Sequence, residues 1–247
     1  MAFRYWVTGG TGNWNDVSNW SATSGGASGA SVPGTVDDVF FNAASGTVTA
    51  TLDISPDVQT VNCSGFTGTL AFDAQTITVN STGTVFTGAT TMTVTGTPLI
   101  ILTETTPSAT ARTISPAAVT EANSISFRIT GSTGNLSITT GAVRDLDFTD
   151  GVNPTGYGGQ AQNMSVTVYG NFKASTNMTK AGGTSGYTLA ATSGTKTVDT
   201  AGVTFDNPFV FGTATSTATF QLQSDLIAGV IGGTNRTTTL TGGTLDM

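Results

Sequence analysis

The chain has 247 residues, of which only 9% are Asp, Glu, Lys or Arg, and its net charge is −7. An ordinary soluble domain carries about 25% charged residues, and a nucleic-acid surface needs clustered Lys and Arg to displace counterions from phosphate. No basic cluster occurs anywhere in the sequence, which excludes nucleic acid and anionic membrane surfaces as partners.

Thr and Gly take the place of charge, with 52 and 32 residues. The branched Cβ of Thr fits a pleated surface, so the composition predicts many short strands broken by turns. The hydrophobic share of 37% allows a thin core. Cys63 is the single cysteine, so no intrachain disulfide staples the fold. It reads as a small core residue ending the strand-like run 58–63.

Residues 1–42 differ from the rest and are predicted to form an aromatic cap. They hold all three tryptophans, Trp6, Trp14 and Trp20, and they end on Phe40 and Phe41. Loops are expected at Gly9–Asn13 and Ser24–Gly29, and a turn at Val32-Pro33-Gly34, with Asp37-Asp38 turning into a strand. A solenoid needs an atypical end to cover its first rung, and large aromatics suit that task. The other reading of the three tryptophans is a carbohydrate-stacking platform. The opening residues lack a basic stretch followed by an apolar one, so no signal peptide is predicted and synthesis in the host cytoplasm is expected. The longest apolar run, Leu99–Leu102, is far short of the ~20 residues that cross a bilayer.

From residue 43 to 247 the chain is a Thr/Gly-rich β body. Apolar residues alternate with Thr or Ser in Thr47–Ile54, Thr69–Phe72, Thr76–Val79, Thr91–Val94 and Leu99–Leu102. The same period of two returns in Ser124–Ile129, Leu136–Ile138, Met164–Tyr169, Thr195–Val198, Thr219–Leu222 and Thr237–Leu240. Pairing Leu52 with Leu70 and Ile77 with Met92 gives short, irregular repeats. Loose self-similarity at this scale predicts an all-β fold, a parallel β-solenoid (β-helix). An antiparallel β-sandwich, or two, is the alternative. Asn-Gly hairpin turns are missing from the repetitive region, which favours the solenoid. Alternation lapses at 103–123, which carries two prolines, and again at Gly151–Gly159. Both are expected to be loops bulging from the body, and any subdivision falls near 103–123 or 151–163.

The sequence contains no histidine, which removes Ser-His-Asp and Cys-His nucleophile systems and Cys/His zinc sites. No phosphate-binding loop is present, because Gly9-Gly10-Thr11-Gly12 leads into Asn13-Trp14 rather than a helix. Glycosidase chemistry needs only two carboxyls facing a sugar, about 5–10 Å apart. The densest carboxylate group is Asp145, Asp147 and Asp150, with Asp145 and Asp147 on one face of a strand. These three are the candidate acid pair or calcium ligands, and the competing reading is a solvated strand end with an Asp-Gly turn. No catalytic residue and no cofactor is expected.

Two stretches carry a resemblance. Arg4–Trp20, with Gly12-Asn13-Trp14 and Asn19-Trp20, followed by Ser31–Phe41, resembles the N-terminal pattern of Trp-rich, β-helical virion proteins of tailed phages. It is also similar to the openings of autotransporter-like adhesin repeats. Leu189–Phe205, Phe220–Leu226 and Arg236–Asp246 resemble repeats of the same phage proteins. Together they cover about a third of the chain and hold no catalytic residues. The resemblance implies a virion fibre, spike or capsid decoration whose partners are other virion proteins and its own copies, with a trimer by analogy to fibres. It implies a further strand after Gly243–Asp246, so that the chain reads as the N-terminal part of a longer protein. The rival functions are a receptor-binding fibre that recognises a host-surface glycan, and a polysaccharide depolymerase.

Overall fold

The computed structural model describes residues 1–7, 9–103, 112–130, 136–139, 141–148, 165–176, 186–205, 207–228, 230–231 and 234–247. It is an all-β parallel solenoid. Among the described residues the strands form parallel sheets of nine, seven, five and four strands, with two two-stranded pairs. Among these, two pairings of the described residues are antiparallel, Ala2–Trp6 with Trp20–Ser21 and Val230–Ile231 with Thr234–Asn235. A sandwich is therefore excluded, and no helix among the described residues is long and apolar enough to cross a membrane.

Each coil lays one short strand on each of three walls. Asp37–Phe40, Thr60–Asn62 and Thr84–Thr87 stack on the first wall. Thr49–Thr51, Thr69–Ala71 and Thr93–Thr95 stack on the second, and Asp57–Val58, Thr76–Val79 and Leu99–Leu102 on the third. From Ala142–Val143 onward the five-stranded sheet takes the second place in the coil. The nine-stranded third wall runs from Asp57–Val58 to Thr244–Asp246.

Period-two alternation decides which residues enter the core. Ile77, Ile100, Phe127, Leu146, Phe172 and Val198 are in register on successive coils of the third wall, and all six are at 0% exposure. Val39, Val61, Phe86, Ile114 and Ile138 form a similar column behind the first wall. Full burial of one such side chain stabilises the fold by about 1.5–3 kcal/mol relative to exposure. The columns join in one hydrophobic cluster from Trp6 to Phe220. Outside, Thr faces Thr: Thr49, Thr69 and Thr93 are in register, and the Thr47 and Thr67 hydroxyls lie 3.2 Å apart.

Register corrects the expected pairings. Ala50, not Leu52, lies opposite Leu70, and Ile77 lies opposite Ile100 rather than Met92. Met92 belongs to the approach to the second wall, a different side of the same coil as Leu99. Corners absorb the variation in coil length. At Gly96, between the second and third walls, φ is +81° and an added Cβ would sit 2.7 Å from the Asp73 amide nitrogen. Only glycine meets both conditions.

Residues 1–42 make the first coil and open the second, so the segment is continuous with the solenoid. Ala2–Trp6 pairs in parallel with Asp37–Phe40, and Gly12–Asn13 pairs with Thr49–Thr51. Trp6, Trp14, Trp20 and Phe41 are fully buried and pack on one another. Ring centroids are 5.1 Å apart for Trp6 and Trp20, and 4.9 Å for Trp14 and Trp20. The Trp20 indole N–H donates to the Trp14 carbonyl at 2.7 Å. Buried indoles cannot stack on sugars, so the platform reading of the tryptophans fails. Asp37 begins its strand, and its carboxylate accepts the Gly34 N–H at 3.0 Å, closing the Pro33-Gly34 turn.

Phe40 departs from cap packing. It follows inward-facing Val39, so alternation turns it outward, where it stacks on Tyr5 at 4.8 Å and meets Phe3 edge-on at 5.5 Å. Phe3 is 49% exposed.

The stretch 103–123 is not wholly a loop, because Arg112–Ser115 continues the first wall between Thr84–Thr87 and Leu136–Ile138. Residues 104–111 lie outside the described residues, as do 151–163 with their expected loop. The part after Pro116 reaches across later coils. The Glu121 carboxylate accepts the Thr192 hydroxyl at 2.8 Å and pairs with Lys196 at 3.5 Å, while the Tyr169 hydroxyl donates to the Val119 carbonyl at 3.1 Å.

Candidate functional site

The third wall carries an outward trough of about 490 Å³. Alternation puts Thr76, Ser126, Arg128 and Asp147 on the outer face, while Ile77, Phe127 and Leu146 between them point inward. Stacking then brings together residues far apart in sequence. Arg128, Asp147, Lys173 and Asp199 occupy register positions on four successive coils. Their charges alternate in sign. In-register stacking would otherwise set like charges on adjacent strands, about 4.8 Å apart, where they repel.

A second outward row forms the floor. Asp145 stands at the corner before Leu146–Asp147. One of its carboxylate oxygens accepts the Ser126 hydroxyl at 2.6 Å. The other accepts the Asn171 backbone N–H at 2.6 Å and its side-chain amide at 3.0 Å. Asn171 Oδ1 in turn accepts the Thr197 N–H at 2.8 Å and its hydroxyl at 3.0 Å. Gly170 keeps the chain close at this corner, its N–H donating to the Arg144 carbonyl at 2.6 Å.

The structure thus brings Asp145 and Asp147 into one trough, as alternation predicts, but spends both. Asp145 is ringed by donors, and Asp147 pairs with Arg128 at 3.0 Å. Calcium would have to displace those donors. Asp150, the third candidate ligand, lies outside the described residues. Among the described residues no group of three or more His, Cys, Asp or Glu is placed to hold a metal ion.

The site residues that the sequence reading missed are basic and polar. Arg128, Arg144 and Lys173 line the trough with Gln75, Thr97 and Asn171. These three cations are drawn from only eight Lys and Arg in the chain. No local motif announces them, because each comes from a different coil. The scarcity of basic residues is the one available signal.

Cys63 is fully buried, and burial pushes its thiol up to about 12. That is the environment of an inert core cysteine. No family model, curated protein or solved structure matches the chain.

Proposed function

We propose that the chain is a non-catalytic structural element of a tailed-phage particle: a fibre, spike or surface decoration that assembles with virion proteins and with its own copies. The observation that carries this reading is the unbroken inward column from Ile77 to Val198, closed at the N-terminal end by Trp6, Trp14 and Trp20. Such a stack makes a stiff rod from a chain with little charge and no disulfide. The resemblance of Arg4–Trp20 to phage virion proteins supplies the context. The engagement of Asp145 and Asp147 by neighbouring coils weighs against a depolymerase.

Electron cryomicroscopy of phage particles encoding this chain is the test. Rod-shaped density joined to the particle, fitting the solenoid, supports the reading. Particles that are complete without the chain, together with saccharide cleavage by the purified protein, would overturn it. A glycan-binding fibre is a second reading, favoured by the trough.

A further inference from the structure

We infer that the trough on the third wall binds a linear carboxylated polysaccharide, laid along the solenoid axis. This goes beyond the virion reading and stands whether or not the chain sits on a particle. The shape comes first. The trough touches six stacked strands, from Thr76–Val79 to Thr195–Asp199, and at about 4.8 Å per strand it runs roughly 24 Å. A ligand that fills it must be extended.

The floor and rims then specify its chemistry. Thr76 and Thr97 offer hydroxyls, Ser126 and Thr197 offer oxygens whose protons are already given to Asp145 and Asn171, and Gln75, whose oxygen accepts the Ser55 hydroxyl, offers its amide N–H groups. Donors and acceptors are both present, as a polyhydroxylated chain requires. The charges are unequally available. Asp145 and Asp147 are turned to protein donors and to Arg128. Arg144 donates only to backbone carbonyls, that of Ala122 at 3.2 Å among them, and has no carboxylate partner among the described residues. Lys173 is exposed and forms no ion pair among the described residues, although Asp147 and Asp199 flank it in register. Two cations that form no ion pair among the described residues therefore face an open trough on a protein of net charge −7. A ligand carboxylate pairs with either through charge-assisted hydrogen bonds.

Nucleic acid fits less well. Among the described residues Phe127 is the single aromatic one of the lining, and it is fully buried, so none of them offers a platform for a base. Two free cations also fall short of a phosphate-tracking groove.

The experiment is calorimetric titration of the full chain with three probes: a polyuronate oligosaccharide from alginate, a neutral dextran oligomer of similar length, and single-stranded oligothymidylate. The expected result is saturable polyuronate binding, at least tenfold weaker dextran binding, and weakening of the polyuronate by salt. Lys173→Gln and Arg144→Gln together should reduce polyuronate affinity at least tenfold. Lys173→Gln alone removes no hydrogen bond or ion pair among the described residues, and an unchanged urea midpoint in it separates a loss of affinity from misfolding. Absence of saturable polyuronate binding overturns the inference. So does equal binding of dextran, equal binding of oligothymidylate, or full affinity in the Lys173→Gln/Arg144→Gln protein.

Discussion

Asp145 holds Asn171 twice, accepting its backbone N–H at 2.6 Å and its side-chain amide at 3.0 Å. The two residues sit at equivalent corners of adjacent coils, so the carboxylate sews one coil to the next. With Ser126 on one side and Thr197 on the other, the stitch spans four coils. This is the work of a residue that the sequence offers as one of a candidate acid pair with Asp147.

Asp145→Ala should therefore lower stability while leaving secondary structure intact. It removes the hydrogen bonds to Ser126 and Asn171 at a corner open to solvent, a net loss of about 0.5–1.5 kcal/mol. Asp145→Asn keeps one acceptor oxygen and should lose less. Urea unfolding followed by circular dichroism measures both. Equal stability of wild type and Asp145→Ala would show that solvent replaces the stitch.

Strand content and facing were legible in the sequence because alternation is local. Ile77 and Val79 inward, with Thr76 and Thr78 outward, follows from four residues. The coil length was not legible. It depends on corners such as Gly96 and on the excursion after Pro116, and neither repeats. Hence Leu52 was matched to Leu70 in place of Ala50, two residues out of step but on the correct face. Arg112–Ser115 carries no strand signal in the sequence because Ile114 is its one aliphatic inward residue and Pro116 follows directly. Phe40 misled because an aromatic beside Phe41 suggests core, yet adjacent strand residues face opposite ways. The trough needed the stack itself: Arg128, Arg144 and Lys173 meet only once the coils are laid in register.

The aromatic core of the later coils gives a sharper stability contrast. Phe172 lies 5.2 Å from Tyr187, 5.9 Å from Phe205 and 6.0 Å from Phe209, all ring centroid distances, and is fully buried. Phe172→Ala opens a cavity among side chains fixed on three strands and should cost about 3–5 kcal/mol. Phe3, also on a strand but 49% exposed and held by its edge contact with Phe40, should cost about 0.5–1.5 kcal/mol when changed to Ala. Denaturation midpoints of the two variants check the assignment of inward and outward faces. Similar losses from both would contradict it.

The tryptophans make the N-terminal coil its own reporter. Trp6, Trp14 and Trp20 are all at 0% exposure, so native emission should be blue-shifted and protected from acrylamide. A glycan bound on the third wall should leave that emission unchanged. Trp20→Ala removes the ring that touches Trp6, Trp14 and Phe41 and should cost about 3–5 kcal/mol. It should also expose the two remaining indoles to quencher. Native emission at the wavelength of free tryptophan would sink the buried-cap assignment.

Alkaline pH probes the core through Cys63. Its thiol ionises near 9.0 ordinarily and is pushed up to about 12 by burial. Between those values the folded chain holds a proton that the unfolded chain has lost. Unfolding then releases a proton, so stability is whole below pH 9 and falls as pH rises towards 12. Burial also raises the Tyr187 hydroxyl, which adds a loss of the same sign above its ordinary 10.0. Cys63→Ala abolishes the first contribution and keeps the second. Urea midpoints measured from pH 8 to 11 should decline in wild type from about pH 9, and more gently in Cys63→Ala. The native thiol should meanwhile resist a disulfide reagent that modifies the unfolded chain at once. Identical pH slopes in the two proteins, or rapid labelling of the native thiol, would place Cys63 at the surface and break the first-wall register that buries it.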